Sequence, residues 1–348
     1  MPENEAVEAI DNFLRSLGAT EEQIRSGWHD CRIAGLAGDL VFARGANLTA
    51  SDLANSTGVD PDVVLMLWRT LGVVVPNAHY PMFTERDAEF TRFLVQESPV
   101  GSYGDELLRV VGGSLSRVAE AAVAIYVQTQ EPQGDLPETE LLAWAQDMAA
   151  VSSAALELGD AMGSIFCHHL RDAIGRQRIA QADVSERSLH RLAIGFVDLV
   201  GFTPLSLHTA PVQLLQLVSD FEVRAFEVAS EHGGRIVKHI GDEVMCVALD
   251  AASGCRIARD ITAAFGDDIE PRGGVSFGDV ISRHGDYYGN VVNLAARLAD
   301  LAIPGEVLVD AETAKSASES LGFSPAGHRL LKGYDDPIEV FSLDGTIR

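Results

Sequence analysis

Two hydrophobic periodicities divide the chain. Over residues 4–170 apolar positions recur at helical spacing, and β-branched runs are few. Thr49-Ala-Ser-Asp-Leu-Ala opens one short helix, Gly58-Val59-Asp60 reads as a turn, and Pro61 suits a first helical turn. Val63, Val64, Leu67, Trp68 and Leu71 then share a helical face. The polar stretch 130–137, with two prolines and a glycine, predicts a loop, and a long helix follows from Leu141 to about Ala180. Near residue 190 the pattern changes. Leu192–Leu199 is a short apolar run of strand type, and Pro211–Glu231 is an amphipathic helix stopped by Gly233-Gly234. Arg235–Ile240 and Glu243–Leu249 predict a hairpin about Gly241-Asp242. A helix over 251–265 and a strand over 272–281 complete the order β-α-β-β-α-β, the split βαβ, ferredoxin-like plan. A further helix (290–301) and strands at 306–310 and 338–343 extend it. The expected class is therefore α+β, an all-α half followed by a ferredoxin-like half.

Composition narrows the function. The 348 residues hold 26 Lys+Arg against 51 Asp+Glu, a net charge of −25. That excess argues against a broad nucleic-acid or anionic-membrane footprint. Apolar residues make up 47 %, which excludes an acidic disordered chain. No 18 consecutive residues are apolar, so no transmembrane segment is expected. The acidic start, MPENEAVEAIDNF, lacks the features of a signal peptide. Four scattered cysteines form no CxxC pair, which fits a reducing cytoplasm.

Two aspartates fall at strand ends. Asp198 closes the first strand and Asp242 sits in the hairpin turn, so the topology lets both carboxylates converge. Paired carboxylates repel unless a divalent cation sits between them, and Mg²⁺ favours one or two carboxylates completed by water and phosphate. Two such ions serve in-line displacement at phosphorus. Asn293 and Arg297 lie i, i+4 on one helical face.

Three linked motifs, F-V-D-L-V-G-F-T (196–203), K-H-I-G-D (238–242) and D-Y-Y-G-N-V-V-N-L-A-A-R-L (286–298), resemble the catalytic domain of class III nucleotide cyclases. The resemblance covers about residues 188–345. It implies Asp198 and Asp242 as ligands of two Mg²⁺ or Mn²⁺ ions, and Lys238 with Asp286 as the adenine-reading pair. It implies Asn293 and Arg297 as the transition-state pair and Arg272 as a triphosphate contact. Lys332 matches a late phosphate-binding position, although Tyr334, Asp335 and Asp336 beside it depart from the usual basic or glycine residues. A lysine donates to adenine N1 and an aspartate accepts from N6, whereas guanine presents the opposite pattern. The implied reaction is attack by the ribose 3′-hydroxyl of ATP on the α-phosphorus, giving cyclic AMP and pyrophosphate. The family's sites form between two catalytic domains, so one copy of each motif implies a homodimer, with metal and base-reading residues from one subunit and Asn/Arg from the other.

Residues 1–165 resemble the helical regulatory domain of acid-regulated actinobacterial adenylate cyclases. A linker helix is expected over 166–187 and the catalytic domain over 188–348. Protons, through His168, His169 and His190, or a lipid held by runs such as Val63–Leu67 and Ala121–Val127, are the expected signals. Segment 48–93 looks like a winged helix-turn-helix, but the helix after Pro61 presents Asp62, Val63, Val64, Leu65, Met66 and Arg69, poor equipment for DNA. The alternatives are a diguanylate or guanylate cyclase, suggested by I-G-D-E-V (240–244), and a non-catalytic nucleotide sensor or DNA-binding regulator.

Overall fold

Capping chemistry sets the first helices. Thr49 and Asp52 cap α4 reciprocally, the Asp52 N–H donating to Thr49 Oγ1 (3.1 Å) and the Thr49 N–H to Asp52 Oδ2 (2.8 Å). Gly58 ends that helix at φ +75°, and Asp60 with Pro61 starts α5. The computed structural model describes residues 3–97, 104–129, 136–180, 189–265 and 270–345. Most of the loop expected at 130–137, and residues 181–187 of the expected linker, lie outside these. The chain divides into two compact units, Met1–His168 and His169–Arg348.

The first unit contains α1 (Glu3–Ser16), α2 (Glu21–His29), α3 (Leu36–Phe42), α4 (Ala50–Thr57), α5 (Pro61–Thr70), α6 (Glu85–Arg92) and a π-helical turn (Phe93–Glu97). It also contains α7 (Gly104–Thr129) and most of α8 (Glu138–Ala180), which continues into the second unit. An isolated bridge, Leu48 to Phe83, is the only β pairing among its described residues. One core gathers Leu53, Val64, Trp68 and Phe83, and another gathers Ile10, Leu14, Ile24 and Leu40 with Ala145 of α8. The runs expected to hold a lipid are divided: Val64 is buried, while Val123, Ile125 and Val127 are exposed on α7. One result departs from the expectation of no membrane segment. Although no 18 consecutive residues are apolar, Gly104–Val127 is one helix long and apolar enough on average to cross a membrane. Arg117 stands near its middle and costs roughly 3 kcal/mol on insertion at that depth.

The second unit is built on β1 (Leu189–Leu199), α9 (Phe202–Ser206), α10 (Pro211–Glu231), β2 (Arg235–Ile240), β3 (Glu243–Ala248), α11 (Ala251–Ala263) and β4 (Pro271–Arg283). It continues through β5 (Asp286–Tyr288), α12 (Asn290–Leu301), β6 (Val307–Asp310), α13 (Ala311–Ala317), β7 (Phe323–Arg329) and β8 (Ile338–Leu343). The sheet runs β2-β3-β1-β4-β6-β8-β7, with β5 paired to β4. Its first four strands reproduce the ferredoxin-like order, and β4–β6 is the parallel pair. One face packs Phe221, Ala225 and Val228 of α10 and Ile257 and Ile261 of α11. The other face packs Leu192, Ile194, Phe196 and Met245 against Val291, Ala295 and Ala299 of α12. Gly274 on β4 lets α12 sit directly on the sheet: a Cβ there would lie 2.2 Å from the Ala299 nitrogen.

Candidate active site

Three neighbouring strands bring ionisable groups to one sheet end. Asp198 on β1 stands in register with Glu243 on β3 and Arg272 on β4. Asp242 occupies the β2–β3 turn beside Gly241 at φ +65°, and its carbonyl accepts from the Leu199 N–H at 3.2 Å. Arg272 donates from Nε and Nη2 to the two Asp198 oxygens at 2.8 and 3.1 Å. Its Nη1 donates to the Asp300 and Ala302 carbonyls, at 2.7 and 3.2 Å, at the C-terminus of α12. Negative charge exceeds positive here. Burial, and then Asp198, holds the Asp242 carboxyl above its ordinary range. Glu243 is pushed up to about 7, chiefly by burial and then by Asp198, Asp300 and Asp242. Sequence reasoning passed over Glu243. Its signal was a second acid directly after Asp242, in a position that reads as an ordinary strand residue.

Lys238 and Asp286 form a second pair. A bulge in β2 between Ile236 and Lys238 places Lys238, rather than Val237, opposite Met245. That puts its side chain on the α12 face, where Nζ donates to Asp286 Oδ2 at 2.5 Å. The Tyr287 N–H donates to Asp286 Oδ1 at 2.8 Å and fixes the carboxylate plane.

α12 carries the remaining residues. Leu294, Ala295, Leu298 and Ala299 are buried, which turns Asn293 outward and leaves Arg297 half-buried. Arg297 Nη1 donates to Asp300 Oδ2 at 2.9 Å. Tyr334 donates from its hydroxyl to Asn290 Oδ1 at 2.6 Å, tying the late loop to the first turn of α12. Lys332 lies exposed in that loop. The structure thus brings together Asp198, Asp242, Arg272 and Glu243. It separately joins Lys238 to Asp286 beside the N-terminus of α12, whereas Arg272 reaches its C-terminus. A 12-residue helix spans about 18 Å.

Among the described residues no three His, Cys, Asp or Glu groups form a metal cage. What the site offers is a two-carboxylate half-site with surplus negative charge and an arginine able to meet phosphate. This donor set fits Mg²⁺ or Mn²⁺, whose other positions are taken by water and phosphate oxygens.

A split βαβ sheet carrying paired carboxylates and an arginine at one end presents a donor set able to meet a metal–phosphate group. Residues 184–345 match the adenylate and guanylate cyclase catalytic domain. An uncharacterised protein of Mycobacterium tuberculosis is 32 % identical over 97 % of this chain and 90 % of its own length. An adenylate cyclase of Streptomyces coelicolor is 30 % identical over 87 % of this chain and 82 % of its own. A Mycobacterium tuberculosis protein named a pH-sensitive adenylate cyclase is 26 % identical over 94 % and 85 %. The chain belongs to the class III nucleotide cyclase family and is an enzyme of that family.

Proposed function

We propose that the protein is an adenylate cyclase, converting ATP to 3′,5′-cyclic AMP and pyrophosphate. The observation that carries this reading is the Lys238–Asp286 pair, a donor and an acceptor held side by side. Lys238 donates to adenine N1 and Asp286 accepts from N6. Asp198 and Asp242 would hold two divalent cations, Mg²⁺ or Mn²⁺, and the chemistry such ions would supply is a more acidic ribose 3′-hydroxyl and neutralised triphosphate charge. Arg272 turns from Asp198 to the triphosphate. Arg297 stabilises charge on the α-phosphorus in the transition state, and Asn293 orients the ribose. Lys332 meets the phosphates from the late loop.

Each site is completed across a homodimer interface. Lys238 and Asp286 lie beside the N-terminus of α12, about a helix length from Arg272 at its C-terminus. We therefore group them with Asn293 and Arg297, acting on a nucleotide held by the partner's aspartates. This revises the expectation that the base-reading residues work beside the metal aspartates of their own chain. The first unit, read as residues 1–165, regulates the second through the linker helix read at 166–187. Protons are the proposed signal: a relative matching 94 % of the chain is named as pH-sensitive, and His168 and His169 stand exposed on α8.

The test is the purified full chain with Mg²⁺ or Mn²⁺ and either ATP or GTP. Cyclic AMP that disappears in Asp198→Ala supports the reading. Cyclic GMP or cyclic di-GMP as the main product, or no cyclic product with either metal, overturns it.

A further inference from the structure

A cavity of about 190 Å³ lies in the second unit, between the last turns of α8 and the sheet edge formed by the starts of β1 and β2, the end of β3 and the β4–β5 turn. We propose that it binds a small organic carboxylate at a site separate from the nucleotide site. Eight residues of extended β1 separate His190, in this cavity, from Asp198, a distance of about 26 Å.

Charge is the first argument. Arg176 from α8 and Arg235 from β2 both line the cavity, and among the described residues no acidic side chain does. Around a random cavity in a protein of net charge −25, acids would be the expected neighbours.

The second argument is an unmet hydrogen-bond donor. Arg235 Nη2 donates to the Tyr287 hydroxyl at 3.1 Å, and the guanidinium stacks 5.5 Å from the Tyr287 ring centre. Its Nε is buried and has no partner, the one such side-chain atom found among the described residues. A buried charged donor without an acceptor is strongly disfavoured. Nε itself lies beneath the accessible surface, so a carboxylate in the cavity would meet the guanidinium at its terminal nitrogens and reach Nε only with a small shift of the side chain.

The walls select the rest of the ligand. Leu192, Val247 and Leu249 offer apolar surface, which suits an organic body better than a bare phosphate. His190 lines the same space; burial holds its pKa below the ordinary value, so it serves as a neutral hydrogen-bonding group. A ligand seated here touches both α8 and the catalytic sheet, and so bridges the connector to the strands that carry the aspartates.

Isothermal titration calorimetry of the full chain tests this, with butyrate and benzoate as probes and inorganic phosphate and chloride for comparison. Saturable carboxylate binding is expected, at least tenfold weaker in Arg235→Gln and in Ala173→Trp and unchanged in Asp198→Asn. Ala173 is an exposed α8 residue on the cavity wall, so filling the space from there leaves the sheet intact should Arg235→Gln fold poorly. Absence of saturable carboxylate binding, phosphate binding of equal strength, or binding that survives both substitutions overturns the proposal. The readout is ligand binding rather than cyclic nucleotide, so its failure leaves the cyclase reading untouched.

Discussion

Arg272 and Asp198 face each other across β4 and β1, and the guanidinium covers both carboxylate oxygens at 2.8 and 3.1 Å. On the proposed reading, arginine and a divalent cation would therefore compete for one carboxylate. Arg272→Gln removes a positive charge from beside the cation position. We expect Mn²⁺ affinity without nucleotide to rise by roughly tenfold, about 1.4 kcal/mol, while KM for ATP also rises. Titration of free Mn²⁺ by electron paramagnetic resonance checks the first part. Unchanged or weaker Mn²⁺ binding would show that Arg272 does not guard the aspartate.

Asp242 separates function from stability. Its ionised form is disfavoured in the folded chain, chiefly by burial. Asp242→Asn keeps the shape and removes the charge. Cyclase activity should fall by roughly 10³-fold, on the scale of losing a main electrostatic contributor. The melting temperature should hold or rise. A marked fall in calorimetry would mean the carboxylate is structural.

On the proposed reading, base choice rests on Lys238 and Asp286. Exchanging both for an acid and a small residue, Lys238→Glu with Asp286→Ser, presents an acceptor to guanine N1. We expect kcat/KM for ATP to fall by about 10²-fold or more and the GTP to ATP ratio to rise. Steady-state rates with both nucleotides decide it. Equal losses for the two would detach the pair from base recognition.

Elements with a clean period were readable in the chain. The split βαβ order followed from alternating apolar runs and the Gly233-Gly234 and Gly241-Asp242 punctuation, and the strand expected at 338–343 is β8. The miss at β7 has a physical cause. Phe323–Arg329 contains Pro325 and Gly327, which read as loop, yet β7 is an edge strand, where a missing N–H is tolerated. α9 and α13 were missed because five and seven residues carry too little periodicity. Within the site, Asp198, Asp242 and Arg272 were readable as motif positions. The Arg272–Asp198 pairing and the raised Glu243 were not, because they depend on strand register and burial that no local pattern encodes.

His190 gives a pH dependence of stability. It is buried on β1, and burial lowers its pKa in the folded chain. The unfolded chain therefore takes up a proton first as pH falls below about 6.5. Stability is full above that pH and declines beneath it until the folded-state pKa is passed. Melting temperatures should be level from pH 8 to 7 and then fall, with a shallower fall in His190→Gln. Parallel curves for the two proteins would assign the acid sensitivity elsewhere.

Gly274 sets the height of α12 above the sheet. A Cβ at this position lies 2.2 Å from the Ala299 nitrogen and 2.4 Å from the Ala295 carbonyl oxygen, both backbone atoms that cannot turn aside. Gly274→Ala therefore has to lift α12, and Asn293 and Arg297 with it. A loss of about 3 kcal/mol or more is expected from overpacking against backbone. Gly278→Ala on the same strand meets only the tip of Val291, at 2.9 Å, which a rotamer change relieves, so a smaller loss is expected. Denaturant melts compare the two. At temperatures where Gly274→Ala stays folded, its cyclase rate should drop while Mn²⁺ binding at Asp198 and Asp242 persists, because on the proposed reading the helix carries the transition-state residues and the strand ends the metal ligands. Equal stability of the two variants would mean that α12 has slack over β4, and the close approach would lose its role in positioning Arg297.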